Sequence, residues 1–180
     1  CYRREDSATA RHIRNALFAA IGKDRVFWDI DSVGAGDNYE DAIDQGLEAS
    51  AAVVVIIGRD WAQRDAPNGG LEDPADPVRM EIRSSMERDL RILPVLISDV
   101  GMPERKDLPA DIAKLEKYNA IRLTDDHWDT DLERIVTKIQ AMVETPVRQR
   151  RPAARPAPRP ESRKPSARPA SGRPASARPA

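Results

Sequence analysis

Few residues in this chain are of a kind that does chemistry, and their spacing excludes more than it admits. The two histidines, His12 and His127, have no cysteine or second histidine at metal-ligand spacing, so no metal site is expected. The single cysteine, Cys1, allows no internal disulfide and fits a reducing, cytoplasmic compartment. Gly34-Ala35-Gly36 opens like a dinucleotide fingerprint, but Tyr39 occupies its third glycine position and is too bulky for close helix–strand packing. Gly36 then reads as a tight turn needing positive φ. Glu81 remains, an acid near the head of a predicted helix. By pattern alone it is a solvated residue at the border of an apolar stripe, where acids are ordinary. Arg3 and Arg4 read either as partners for a phosphate or as surface arginines.

The elements that must position these residues are organised around Ala52-Val53-Val54-Val55-Ile56-Ile57-Gly58. A strand wet on one face would alternate apolar and polar residues; this run does not, so it is expected to be buried on both faces of a parallel sheet. Arg91 to Ile97 is a second such strand. Arg25 to Asp29 and the more polar Asn119 to Leu123, at an edge, complete the strands visible here. Helical stripes lie between: Ser7, as N-cap, with Ile13, Leu17 and Ile21, closed by Gly22; Tyr39, Ile43 and Leu47; Val78, Ile82 and Met86; a short helix holding Ile112 and Leu115; and Leu132, Ile135 and Ile139 within a closing helix from Asp129 to Val143. Strand and helix alternate, which predicts an α/β, three-layer fold with a five-stranded parallel sheet ordered 2-1-3-4-5. Its first strand is truncated to Cys1-Tyr2, beside the Ala52 strand. The chain therefore reads as a fragment that folds poorly without the residues before Cys1. In such sheets ligands sit beyond the carboxyl ends of the strands, which directs attention to Gly58 and the long polar loop from Arg59 to Asp76.

Overall charge is −1 over 180 residues, an average of two unlike parts. From residue 146 to 180 the chain is mostly Pro, Ala, Arg and Ser, with ten basic residues against Glu161 alone, roughly +9. Residues 1–145 then carry roughly −10. The 146–180 segment buries too little to offset chain entropy, so it is expected to be a disordered linker or tail: a connection to a fused domain, favoured over a basic arm for nucleic acid or acidic lipid because no aromatic is present to stack on bases. No apolar run approaches the length of a membrane span.

Several segments together resemble a TIR (Toll/interleukin-1 receptor) domain of the bacterial kind. Tyr2-Arg3-Arg4-Glu5-Asp6-Ser7 is similar to the end of that family's first strand. Val26-Phe27-Trp28-Asp29-Ile30-Asp31, with Gly36 following, is similar to its second strand and the next loop. Asp76-Pro77-Val78-Arg79-Met80-Glu81-Ile82 is similar to the head of its third helix, and Ile92-Leu93-Pro94-Val95-Leu96 to its fourth strand. The match spans residues 1 to 145 in order.

The resemblance implies a flavodoxin-like fold, signalling through contacts with other TIR domains, and, in many bacterial members, cleavage of NAD+ at the nicotinamide–ribose bond. NAD+ enters as substrate, with no cofactor. The family's catalytic glutamate aligns with Glu81. Arg3 and Arg4 would face the pyrophosphate. Active relatives often place an aromatic four residues before the glutamate, where this chain has Pro77, so Tyr39 or Trp61 would have to stack on the nucleotide unless each serves packing instead. Asp31, Val33, Gly34 and Gly36 fall in the loop used for self-association. Two other classes share the fold. A phosphorelay receiver needs an aspartate ending the third strand and a lysine after the fifth; Ile57-Gly58-Arg59 and Leu123-Thr124-Asp125 exclude it. A non-catalytic TIR scaffold is the standing alternative.

Overall fold

Three parallel strands carry the fold: β1 (Ala52–Ile57), β2 (Arg91–Leu96) and β3 (Ile121–Arg122), in that order across the sheet. The structure is a computed structural model that describes residues 1–28, 39–62 and 70–144, with backbone only at residues 39–42. Ala52 lies opposite Arg91 and Ile57 opposite Leu96, and the ladder continues where Ile97 N–H donates to the Ile57 carbonyl (3.0 Å).

Successive side chains of a strand point to opposite faces, so a β-branched run serves two cores at once. Val53, Val55 and Ile57 join Ile43 and Leu47 of α2 (Tyr39–Glu48) and Val78 and Ile82 of α3 (Pro77–Glu87). Ile56 joins Ala10, Ile13 and Leu17 of α1 (Ser7–Ile21) and Ile135 and Ile139 of α4 (Trp128–Glu144). Val55 is fully buried. The result is the expected α/β arrangement of three layers. Among the described residues no helix is long and apolar enough to cross a membrane.

The first strand shows itself through one residue. The Cys1 nitrogen donates to the Val54 carbonyl (3.0 Å), and Ile56 N–H donates to the Cys1 carbonyl (2.9 Å). That pair of bonds is parallel pairing across Val55, on the β1 edge away from β2. The expected second strand is not formed over Val26–Trp28: Lys23–Arg25 is a 3-10 turn and Val26 is extended but unladdered. In a 2-1-3 order that strand pairs only with the first, which offers one laddered residue. Tyr2 stacks on Trp28 instead (4.8 Å between ring centres, planes 15° apart). Among the described residues the sheet thus has three strands where five are expected, with Cys1 making two further ladder-like bonds to β1.

Three smaller expectations need correction. Ser7 is the first helical residue rather than the N-cap; Asp6 holds that position and makes no capping hydrogen bond, because its carboxyl lies against Gly58. β3 spans two residues rather than five. The Leu96 carbonyl accepts from Leu123 N–H (2.9 Å), so Pro94, two residues earlier, turns its nitrogen to the same side. Proline has no N–H to give, and the ladder begins only where Val95 meets Ile121. Ile112 and Leu115 are fully buried as expected, but on a turn leading into a 3-10 segment, Ala113–Lys117. Gly22 does close α1, at φ +93°, with its N–H on the Phe18 carbonyl (3.1 Å). The 146–180 segment lies outside the described residues.

Asp131 locks the head of α4 to the end of β3. Its carboxylate accepts from Thr124 N–H (3.2 Å), Thr124 Oγ1 (2.9 Å) and Arg134 (3.0 Å). Burial alone would push this carboxyl up, but the Thr124 bonds and the Arg134 charge outweigh it and hold it below the usual aspartate range. A depressed carboxyl contributes stability that is present above its unfolded value, about 3.9, and is lost as pH falls through the folded one. Thermal unfolding between pH 5 and pH 2 is therefore expected to show a steeper acid loss in the native chain than in Asp131→Asn; parallel curves would contradict this.

Candidate functional site

The carboxyl ends of β1 and of the segment at Cys1, with the head of α3, bound the region to which this class of fold directs attention. β1 ends at Ile57, and at Gly58, which follows it, an added Cβ would sit 2.4–2.7 Å from the Asp6 carboxyl group, which would have to shift. Burial, then repulsion from Glu5 and Asp60, pushes the Asp6 carboxyl above its ordinary value. A raised carboxyl contributes stability below its unfolded value and loses it as pH rises through the folded one. Asp6→Asn keeps a good capping residue and is expected to raise the melting temperature at pH 7, the gain vanishing toward pH 3. A lower melting temperature at pH 7 would show that the charge is needed.

Beyond Gly58 the chain turns, Trp61 N–H reaching the Gly58 carbonyl (3.3 Å), and a stem closes where Leu71 N–H meets the Ala62 carbonyl (3.1 Å). Arg79 fastens that stem, donating to the carbonyls of Leu71 (3.1 Å) and Glu72 (2.8 Å) and to Asp111 (3.1 Å). α3 then starts on an Asp-Pro pair. Asp76 caps it, accepting from Arg79 N–H (3.0 Å), and Pro77 stands where its missing N–H costs nothing. Five residues on, roughly 7 Å along the axis, is Glu81. Its side chain is 15% exposed and Oε2 lies 3.8 Å from the Cys1 nitrogen. The Cys1 thiol points at the Val78 carbonyl (3.8 Å), so the first-strand stub leans on the first turns of α3.

The predicted site residues fare differently. Glu81 sits beside the first-strand stub, with its carboxylate largely sheltered. Arg3 is buried, not on the surface: its Nε donates to the Trp61 carbonyl (2.7 Å) and Nη1 to Asp76 Oδ2 (2.7 Å). Its charge is thus matched inside the protein, which corrects the expectation that it faces solvent or a pyrophosphate. Arg4 is exposed. Trp61 is 2% exposed and packs in the core with Leu71 and Val78, so it presents no open ring for stacking. Tyr39 begins α2, but its side chain lies outside the described residues, as do Asp31, Val33, Gly34 and Gly36. Two surface depressions, one beside Met102–Lys106 and one between Ile121 and α4, do not touch Glu81. Sequence reasoning did not single out Asp76 as the cap of α3, although Asp-Pro before an apolar stripe is a legible helix start.

A three-layer α/β domain built on a parallel sheet defines the class. The family model for the TIR domain matches residues 1–136, and the chain belongs to that family. The NAD(+) hydrolase tir-1 of Caenorhabditis elegans is 24% identical over 113 residues, covering 62% of this chain and 11% of that protein's length. The chain thus spans about a tenth of this relative. Among solved structures, the TIR domains of the activated Roq1 resistosome recognising the effector XopQ superpose with a TM-score of 0.55 at 14% identity, over 79% of this chain and 95% of that one. That likeness bears on the fold alone.

Proposed function

We propose that this TIR domain acts in signalling by associating with other TIR domains, and that it cleaves NAD+ at the nicotinamide–ribose bond with Glu81 as the catalytic residue. The observation that carries the reading is the position of the Glu81 carboxylate, mostly withdrawn from water against the first-strand stub. Leaving of nicotinamide from its ribose passes through an oxocarbenium-like state with positive charge on the sugar. A sheltered carboxylate stabilises that charge more strongly than one in bulk water. By analogy with glycosidases it also accepts from ribose hydroxyls, and water then attacks the same carbon, its proton passing to the carboxylate and on to solvent. Nicotinamide departs as a neutral base, so one carboxylate suffices without a general acid. Arg4, exposed beside the stub, is assigned to the pyrophosphate, since Arg3 is committed to Asp76. The named hydrolase relative supports this chemistry. Self-association is assigned to the 30–37 loop, containing Asp31, Val33, Gly34 and Gly36, and the location to the cytoplasm.

One observation favours a second reading, a non-catalytic scaffold. Pro77 replaces the aromatic often found before the glutamate, and Trp61 is buried in the core. The test is nicotinamide release from NAD+ by the concentrated full chain. Release supports the hydrolase; its absence at every concentration leaves the scaffold.

A further inference from the structure

We infer that the buried Arg3–Asp76 pair is a positioning clasp that sets the register between the first-strand stub and α3, and so holds Glu81 in place. The inference rests on the hydrolase reading for its consequence in turnover, but its structural content stands apart from it. Arg3 reaches three elements at once. Its backbone follows the stub, Nε donates to Trp61 at the exit from β1 (2.7 Å), and Nη1 donates to the residue that caps α3 (2.7 Å). Asp76 is divided in the same way: Oδ1 takes Arg79 N–H of its own helix (3.0 Å) and Oδ2 takes the arginine. Both side chains are deeply buried, 7% and 1% exposed.

A buried ion pair is a poor source of net stability, because the desolvation of both charges offsets most of their attraction. Here the desolvation is not even fully answered: Arg3 Nη2 is buried and has no hydrogen-bond partner among the described residues. What such a pair does well is fix geometry, since a guanidinium and a carboxylate accept only a narrow range of approach. The helix it fixes carries Glu81 a turn and a half further on. A shift of about 1 Å in a catalytic group can cost about a hundredfold in rate. Arg3 on this account never touches the substrate.

The test uses the full chain with Arg3→Lys, Asp76→Asn and the double variant. Asparagine keeps an oxygen for the Arg79 cap while removing the charge; lysine keeps the charge but lacks the fork that reaches both partners. Cys1 is the only cysteine, and its side chain is fully buried against α3, so its rate of reaction with a thiol reagent reports how the stub is seated. Each single variant is expected to speed labelling at least tenfold under conditions where circular dichroism shows the fold intact, with the double variant no faster than the singles. In nicotinamide release each should lower kcat tenfold or more while KM stays within twofold. Unchanged labelling in both single variants would overturn the clasp. A raised KM in Arg3→Lys with unchanged labelling and kcat would instead make Arg3 a substrate ligand. If the wild-type chain releases no nicotinamide, the labelling arm still decides the clasp, and only the hydrolase reading fails.

Discussion

Ile82→Ala is expected to cost about 3 kcal/mol of stability, within the range of about 2–5 for deleting a buried isoleucine side chain to alanine. Ile82 is fully buried and lies in the core formed by β1, β2, α2 and α3. Val55 and Ile112 of the same core are also fully buried. For a domain of this size the loss corresponds to a fall of roughly 6–12 °C in melting temperature. Glu87→Ala, at an exposed position on the same helix, should change stability by no more than about 0.5 kcal/mol. Thermal unfolding of the two variants side by side checks this. Equal, small shifts would mean that α3 is not seated on the sheet as described.

Glu81→Gln is expected to reduce the turnover of NAD+ by at least about a hundredfold while leaving fold and assembly unchanged. The substitution preserves shape and hydrogen-bonding oxygen and removes only the charge. Where a preorganised group faces charge developing in a transition state, its loss typically costs about 10²–10³ in kcat, or about 2.7–4 kcal/mol. The effect belongs at the upper end if one carboxylate does all the work. Stability should move little, because the side chain is at the rim of the core, 15% exposed, rather than within it. KM should change far less than kcat, since the stabilised charge is absent in the ground state. A variant with the rate unchanged would place the chemistry elsewhere or remove it.

How much of this was legible in the sequence follows from the range of the interactions. The β-branched run at Val53–Ile57, the 3.6-residue stripe of Val78 and Ile82, and the glycine at position 22 are local signals, and each formed the element it announces. The cap of α1, read as Ser7, and the role of Arg3 were misread because the partners that decide them are distant. Asp6 abandons its capping role for Gly58, and Arg3 meets Asp76 across 73 residues. No periodicity records such meetings. Trp61 is ambiguous for a related reason: an aromatic in a polar loop looks available until the loop folds it under Leu71 and Val78. The brevity of β3 was in principle readable, since Pro94 is visible in the sequence, but only once its nitrogen is known to face β3 rather than β1. Glu81 lies between these cases. Its helix is local and legible, whereas its approach to the Cys1 nitrogen joins residues eighty apart.

The central claim is that a carboxylate held beside the first-strand stub does the chemistry. It is tested most directly by incubating concentrated wild-type chain and Glu81→Gln with NAD+ at matched oligomer size and following nicotinamide over time. The account predicts steady release from the wild type, rising with concentration, and at least a hundredfold less from the variant. Equal release from the two, at any concentration, would contradict it.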